Sequence, residues 1–252
     1  MAFSTGTLSA LNGVLADINM PNPLGETALL DIGEEHLRDT AREVAGEGDQ
    51  ITRARHVHDY VRDQVRFGFG SHFWRLKASE VLQAGRGHAL PKATLFTAML
   101  RAVGVPARMH FVSVGSDLLS GLIDLPMPRY DHAVVEVWLG DQWLACDSFV
   151  VDPVYFEAAR LRLIREGRHW GYGVHVDGRV EWNGRAPSFS QLVIGGPEAL
   201  PAAVDLGVRA DALALYSEEV PEASMLPMIA RLRWRFLARS GNQRIAEVLA
   251  GD

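Results

Sequence analysis

Apolar residues recur every three or four positions through the first half of this chain, and that spacing predicts helices. Residues 34–46 (EEHLRDTAREVAG) read as one. After a break at 46–49, Ala54, Val57, Val61 and Val65 mark a second, from about Ile51 to Val65, with Asp49 or Thr52 placed to cap it. A short apolar segment follows at 78–82, then the turn Gly85-Arg86-Gly87. Leu95, Phe96, Met99, Leu100 and Val103 form one stripe on a third helix, which the stripe predicts to be the core of the domain. Pro91 suits its first turn, Gly104 its C-terminal cap, and Pro106 stops it.

From residue 107 the period changes to two. ARMHFVSV (107–114) reads as a strand, and 132–139 with 142–149 as a hairpin turning at Gly140-Asp141. Between them, 115–129 reads as a long loop whose Leu118, Leu119, Leu122, Ile123 and Leu125 suit a lid over substrate or a dock for a carrier protein. A helix is expected over 154–164, then a second hairpin in GVHVDGRVEWN turning at Asp177-Gly178. Helices over 208–218 and 224–239 and a short terminal piece complete the chain. Trp170, Tyr172 and Trp182 are expected in the core. Residues 1–28 read as an extension ending in the turn-like Pro21-Asn22-Pro23.

The first hairpin can be read residue by residue. A two-residue turn at Gly140-Asp141 opposes Leu139 to Gln142 and Trp138 to Trp143, an aromatic cross-strand pair. Side chains alternate along a strand, so His132, Val134, Glu136 and Trp138 share a face with Trp143, Ala145, Asp147 and Phe149. His132 and Asp147 become diagonal neighbours, with Cα atoms roughly 7–8 Å apart. A carboxylate there can accept a proton from one imidazole nitrogen, fix the tautomer and leave the other nitrogen as a base. Cys146 falls on the opposite face, facing Val135, where a small buried hydrophobe is the expected role.

Composition narrows the function. A net charge of −6 with no basic run excludes general nucleic-acid binding. No stretch approaches the roughly 18 apolar residues of a membrane span, and the N-terminus lacks the basic start of a signal peptide. One cysteine rules out an internal disulfide and fits a reducing, cytoplasmic setting. His56 and His58 sit two apart on a helix and so face different ways. With no cysteine cluster or H-E-x-x-H motif, neither metal nor cofactor is expected.

The turn 85–89 runs into a helix N-terminus, where unpaired N–H groups and the positive dipole end gather. A thiol at that point would ionise more easily, and the same N–H groups would stabilise an oxyanion. Three stretches carry a family resemblance on this frame: ARHVHDYVRDQVRFGF, KASEVLQAGRGHALPKATLFTAMLRAVGVPARMHF and DHAVVEVWLGDQWLACDSF. Together, over about 100 of 252 residues, they resemble the bacterial transglutaminase-like cysteine enzymes of the papain-like class.

The resemblance implies an α+β fold in which a core helix packs on an antiparallel sheet, with helical N- and C-terminal extensions. It divides the chain into an extension at 1–48, a catalytic core at 49–195 and a C-terminal helical part at 196–252. By position, Ala89 stands where the family has its nucleophilic cysteine, His132 where it has the base, and Asp147 where it has the orienting acid. Gly87, His88, Phe73, Trp74 and Tyr130 are the expected substrate contacts. The implied chemistry is acyl transfer or amide cleavage through a thioester. The donor would be a peptide, amide or thioester, carrier-linked donors included, and the acceptor an amine or water. Alanine at position 89 departs from the family. Either the chain is an inactivated form of a cysteine enzyme, the expected reading, or it is a natively non-catalytic domain that binds a peptide or carrier-linked acyl group.

Overall fold

The computed structural model describes residues 22–124, 128–192, 204–217 and 230–251. Its first helices, α1 (Glu35–Ala45) and α2 (Gln50–Gln64), each begin at an acidic side chain that accepts a backbone N–H: Glu34 from Leu37, and Asp49 from Thr52. The chain then makes a two-residue strand β1 (Arg66–Phe67), a short helix α3 (Ala78–Ala84) and a second two-residue strand β2 (Arg86–Gly87). Gly85 ends α3 in the left-handed conformation, φ 57°, which a side chain would oppose. β1 and β2 pair in parallel, so the glycine turn is tied to the end of α2.

Helix α4 (Ala89–Ala102) follows at once, and every residue from Ala89 to Arg101 is buried. α4 is the central element of the main core, and its Lys92 and Arg101 are buried with it by hydrogen bonds to backbone carbonyls. The strands β3 (Ala107–Gly115), β4 (Arg129–Leu139) and β5 (Gln142–Cys146) come next, then helix α5 (Pro153–Glu166), capped by Asp152. A small ladder of β6 (Trp170–Gly171) with β7 (Val174–His175) precedes strand β8 (Val204–Arg209), helix α6 (Ala212–Ser217) and the long helix α7 (Ala230–Ala250).

The main sheet is antiparallel, in the order β5-β4-β3-β8. Trp138 opposes Trp143 and Val135 opposes Cys146, the register that the two-residue turn predicts. Ala133, Val135, Val137 and Leu139 point into the main core with α4. The other face, with Tyr130, Val134 and Ala145, meets Leu118, Leu119 and Leu192 in a second, smaller core. The sheet is thus covered on both sides, and His132 lies on a strand between two packed layers. Among the described residues no helix is long and apolar enough to cross a membrane.

Four sequence expectations are corrected. The 115–129 segment is not a free lid: a 3₁₀ turn at Ser116–Leu119 buries Leu118 and Leu119, and Leu122 and Ile123 are buried after it. The second hairpin turns at Tyr172-Gly173 rather than Asp177-Gly178, because Tyr172 N–H donates to Ser120 O (2.9 Å) and Gly173 N–H to Leu118 O (2.8 Å). These tertiary bonds outweigh the local Asp-Gly preference. Residues 204–209, partly read as helix, pair with the free edge of β3. A bulge opposite Phe111 and Val112, with Gly207 at φ 78°, breaks the alternation that would have marked a strand. Finally, α7 runs unbroken through Gly241, where the Phe69 ring fills the space a Cβ would need. Leu125, Pro126 and the start of the helix expected at 224 lie outside the described residues.

Candidate active site

The glycine turn delivers position 89 to the first turn of α4. Gly87 is packed so closely that a Cβ would meet Lys92 Cγ at 3.0 Å and Pro91 Cβ at 3.3 Å. His88 is the extended N-cap residue, and its side chain makes no capping bond. Ala89 therefore opens the helix with its N-terminal amides free of a side-chain cap, only 5% exposed. Below it, the fully buried Lys92 donates its Nζ to Val65 O (2.6 Å) and Arg62 O (3.4 Å), the last carbonyls of α2. Burial pushes the Lys92 ammonium down to about 7.

His88 is enclosed by aromatic rings. Phe73 stacks on it at 5.0 Å between centroids, with Phe69 and Trp234 each at 5.5 Å. Burial, with repulsion from His132, drives its pKa down to about 3, so it is a neutral imidazole. Neither ring nitrogen makes a well-aligned hydrogen bond, although the Phe73 backbone is near enough to oppose the shift. Trp234 comes from α7 and is held by its own indole N–H on Gly70 O at 3.0 Å. Asn242, further along α7, grips the Phe69 backbone in both directions at 2.9 Å.

His132 and Asp147 are both fully buried, with Nε2 3.3 Å from Asp147 Oδ2. The distance is that of an ion pair, while the alignment falls outside a hydrogen bond, and Nδ1 has no partner. Asp147 lies one residue past the regular end of β5 and is held from the far side. Its Oδ1 accepts from the backbone N–H of Ser190 (2.6 Å) and Gln191 (3.2 Å), and Oδ2 from that of Leu192 (3.0 Å). Tyr130, two residues before His132 on the same face of β4, has a buried hydroxyl without a partner. Burial and the Asp147 charge push that phenol well above its usual pKa, so it stays protonated.

The structure thus brings His132 to Asp147, stacks Phe73 on His88, and sets Gly87 beneath the start of α4. Trp74 does not join the Phe73–His88 stack. It stacks instead on Tyr216 (4.7 Å), whose hydroxyl donates to Asp131 at 3.0 Å. Two features escape a reading of the sequence. The amides of 190–192 carry no motif, because backbone N–H groups are common to every residue but proline. Trp234 lies far along the chain from His88, the ring it covers. Cys146 is buried on the opposite face, as expected, with its thiol pushed up to about 12 by burial. Among the described residues, no group of three His, Cys, Asp or Glu side chains is arranged to hold a metal ion.

Residues 38–148 match the family model of the transglutaminase-like superfamily. Among solved structures, a candidate cysteine protease from Cytophaga hutchinsonii is 15% identical with a TM-score of 0.45, over 79% of this chain and 48% of that one. A candidate protease from Parabacteroides distasonis is 16% identical with a TM-score of 0.34, over 50% of this chain and 26% of that one. The chain therefore spans about half the length of the first and a quarter of the second. No curated protein matches the sequence.

Proposed function

We propose that residues 38–148, which match the transglutaminase-like family model, carry a cysteine acyl-transfer site with position 89 as its nucleophile position. His132 is the base and Asp147 its orienter. A thiol at position 89 gives its proton to His132 and attacks an amide, ester or thioester carbonyl. His132 returns that proton to the leaving group, and a thioester remains. An amine or water, deprotonated by His132, then attacks the thioester; acylated acceptor or free acid leaves and the thiol is restored. The uncapped amides at the start of α4 suit the oxyanion formed in each step. Gly87, His88, Phe73 and Tyr130 are the proposed substrate contacts.

The observation that carries this reading is the treatment of buried polar groups. Asp147 is supplied with three backbone donors, while His132 Nδ1 and the Tyr130 hydroxyl are buried without partners and His88 has only the poorly aligned Phe73 backbone. Buried polar atoms are normally paired, so these unpaired ones, with His132 near enough to His88 to repel its charge, suit a site that receives a polar reacting group. With alanine at 89 the chain lacks the attacking atom. That residue also favours a second reading, a non-catalytic domain that binds a peptide or carrier-linked acyl group in the same place.

Ala89→Cys decides between them. Treated with a thiol alkylator and a panel of amide and thioester donors, the variant is expected to label stoichiometrically at position 89 and to transfer acyl groups. Both the donor turnover and its loss in His132→Ala are required. An inert thiol with no turnover of any donor overturns the catalytic reading in favour of binding.

A further inference from the structure

Helix α2 contributes no residue to the proposed chemistry, yet it carries a buried polar tie to each half of the site. Its C-terminal carbonyls receive Lys92, three residues after position 89. In its middle, His58 is fully buried, with Nδ1 2.9 Å from Asp59 Oδ1 and Nε2 2.9 Å from Ser148 Oγ. Ser148 directly follows Asp147, and its Oγ lies 3.2 Å from Cys146 Sγ.

Only one proton arrangement satisfies this chain. Burial pushes the His58 pKa down, so the ring is neutral. Burial alone would raise Asp59, but its hydrogen bond from His58 and the nearby Arg62 and Arg55 hold it below the usual range, as an acceptor only. The His58 proton therefore sits on Nδ1 and donates to Asp59. Nε2 then accepts from the Ser148 hydroxyl, whose oxygen accepts in turn from the Cys146 thiol. The order Asp59–His58–Ser148 is that of a serine triad. Ser148, however, is fully buried, and His58 packs among Phe96, Phe149 and Trp182, so this triad meets no substrate.

What it does is geometric. Past the Val135–Cys146 pair the β4–β5 ladder ends, and Ser188, bridging Cys146 and accepting from Ser148 N–H (3.3 Å), replaces β4 beside Asp147. On one side the 188–192 segment holds it, through its carboxylate and through its N–H on Ser188 O (3.0 Å). On the other side the first fixed side chain is Ser148, bound to His58. We propose that His58 is a positioning residue: through Ser148 it anchors the exit of β5 so that the Asp147 carboxylate stays within reach of His132. This rests on the reading of Asp147 as the orienter.

The test uses His58→Phe, which keeps a ring among the same aromatic neighbours but has no acceptor. It adds His58→Gln, which offers an oxygen to Ser148, and Ser148→Ala as a smaller change should His58→Phe fail to fold. In the Ala89→Cys background, His58→Phe and Ser148→Ala are expected to lower kcat by about tenfold or more with KM within about twofold, as outer partners of catalytic ligands typically do. His58→Gln should recover most of the loss. In the unaltered Ala89 chain, the amide protons of Ser190 and Leu192 should move upfield in His58→Phe as their acceptor shifts away. An unchanged kcat alongside an active Ala89→Cys parent overturns the proposal. If that parent is itself inactive, the transglutaminase-like reading has failed separately, and the amide protons decide alone: movement supports the anchoring of Asp147, and unmoved signals refute it.

Discussion

Asp147→Asn removes a charge and one acceptor while keeping shape, and its cost can be worked from the contacts. Oδ1 faces the N–H groups of Ser190 and Gln191 and the Ser190 hydroxyl, at 2.6, 3.2 and 3.3 Å; Oδ2 faces Leu192 N–H at 3.0 Å and His132 at 3.3 Å. An asparagine can turn its single oxygen to the crowded Ser190 side, which leaves its NH₂ pointing at two other donors. Losing the Leu192 bond costs about 1.5–3 kcal/mol, the usual worth of a hydrogen bond to a charged acceptor. The two surviving backbone bonds become neutral and each weakens by roughly 1 kcal/mol. Relief from burying a charge offsets part of this, leaving a net loss of about 2–4 kcal/mol. For a chain of this size that lowers Tm by about 5–15 °C. Thermal and urea unfolding read it directly. Glu157→Gln serves as the control, because the Glu157–Arg160 pair is exposed, and its Tm should stay within about 2 °C. An Asp147→Asn curve that overlays the control would falsify the claim that this carboxylate clamps the 188–192 segment.

Two further outcomes follow from packing and charge. His110 bridges Glu136 Oε1 (3.0 Å) and Asp205 Oδ1 (2.7 Å); burial opposes its charging, but these bonds prevail and raise its pKa from 6.5 to about 9. Its folded pKa exceeds the unfolded one, so its contribution is whole below pH 6.5 and vanishes as pH rises through about 9. The stability gap between the parent and His110→Gln should therefore shrink across that window in urea unfolding at stepped pH, and a gap that widens contradicts the network. Gly241→Ala, which in an exposed helix would stabilise by about 1 kcal/mol, should here destabilise by about 1–3 kcal/mol. Its Cβ would meet the Phe69 ring at 2.7 Å and Ile123 at 3.0 Å. A raised Tm would show that the α7 contact with Phe69 yields freely.

The sequence by itself determined the elements whose signals are local. Helices near 35–45, 50–64 and 89–102 follow from apolar period, acidic caps and terminal glycines, all within a few residues of where they act. The Trp138–Trp143 register follows from a two-residue turn and the two-fold alternation of a strand. That register points His132 toward Asp147, but the second strand stops at Cys146, short of the expected 149, so Asp147 is not itself paired with β4. Only the tertiary structure decided what holds the pair. The amides of 190–192, the His58–Ser148 tie and the Trp234 cover on His88 come from segments that meet by packing, more than 40 residues apart in sequence. Backbone donors carry no letter in a sequence, and a buried histidine reads the same whether it binds a serine or lines a core. The edge strand β8 and the turn at Tyr172-Gly173 elude local reading for the same reason. Each is set by a partner across the fold, the open edge of β3 in one case and the carbonyls of Leu118 and Ser120 in the other, and such partners override weak local preferences.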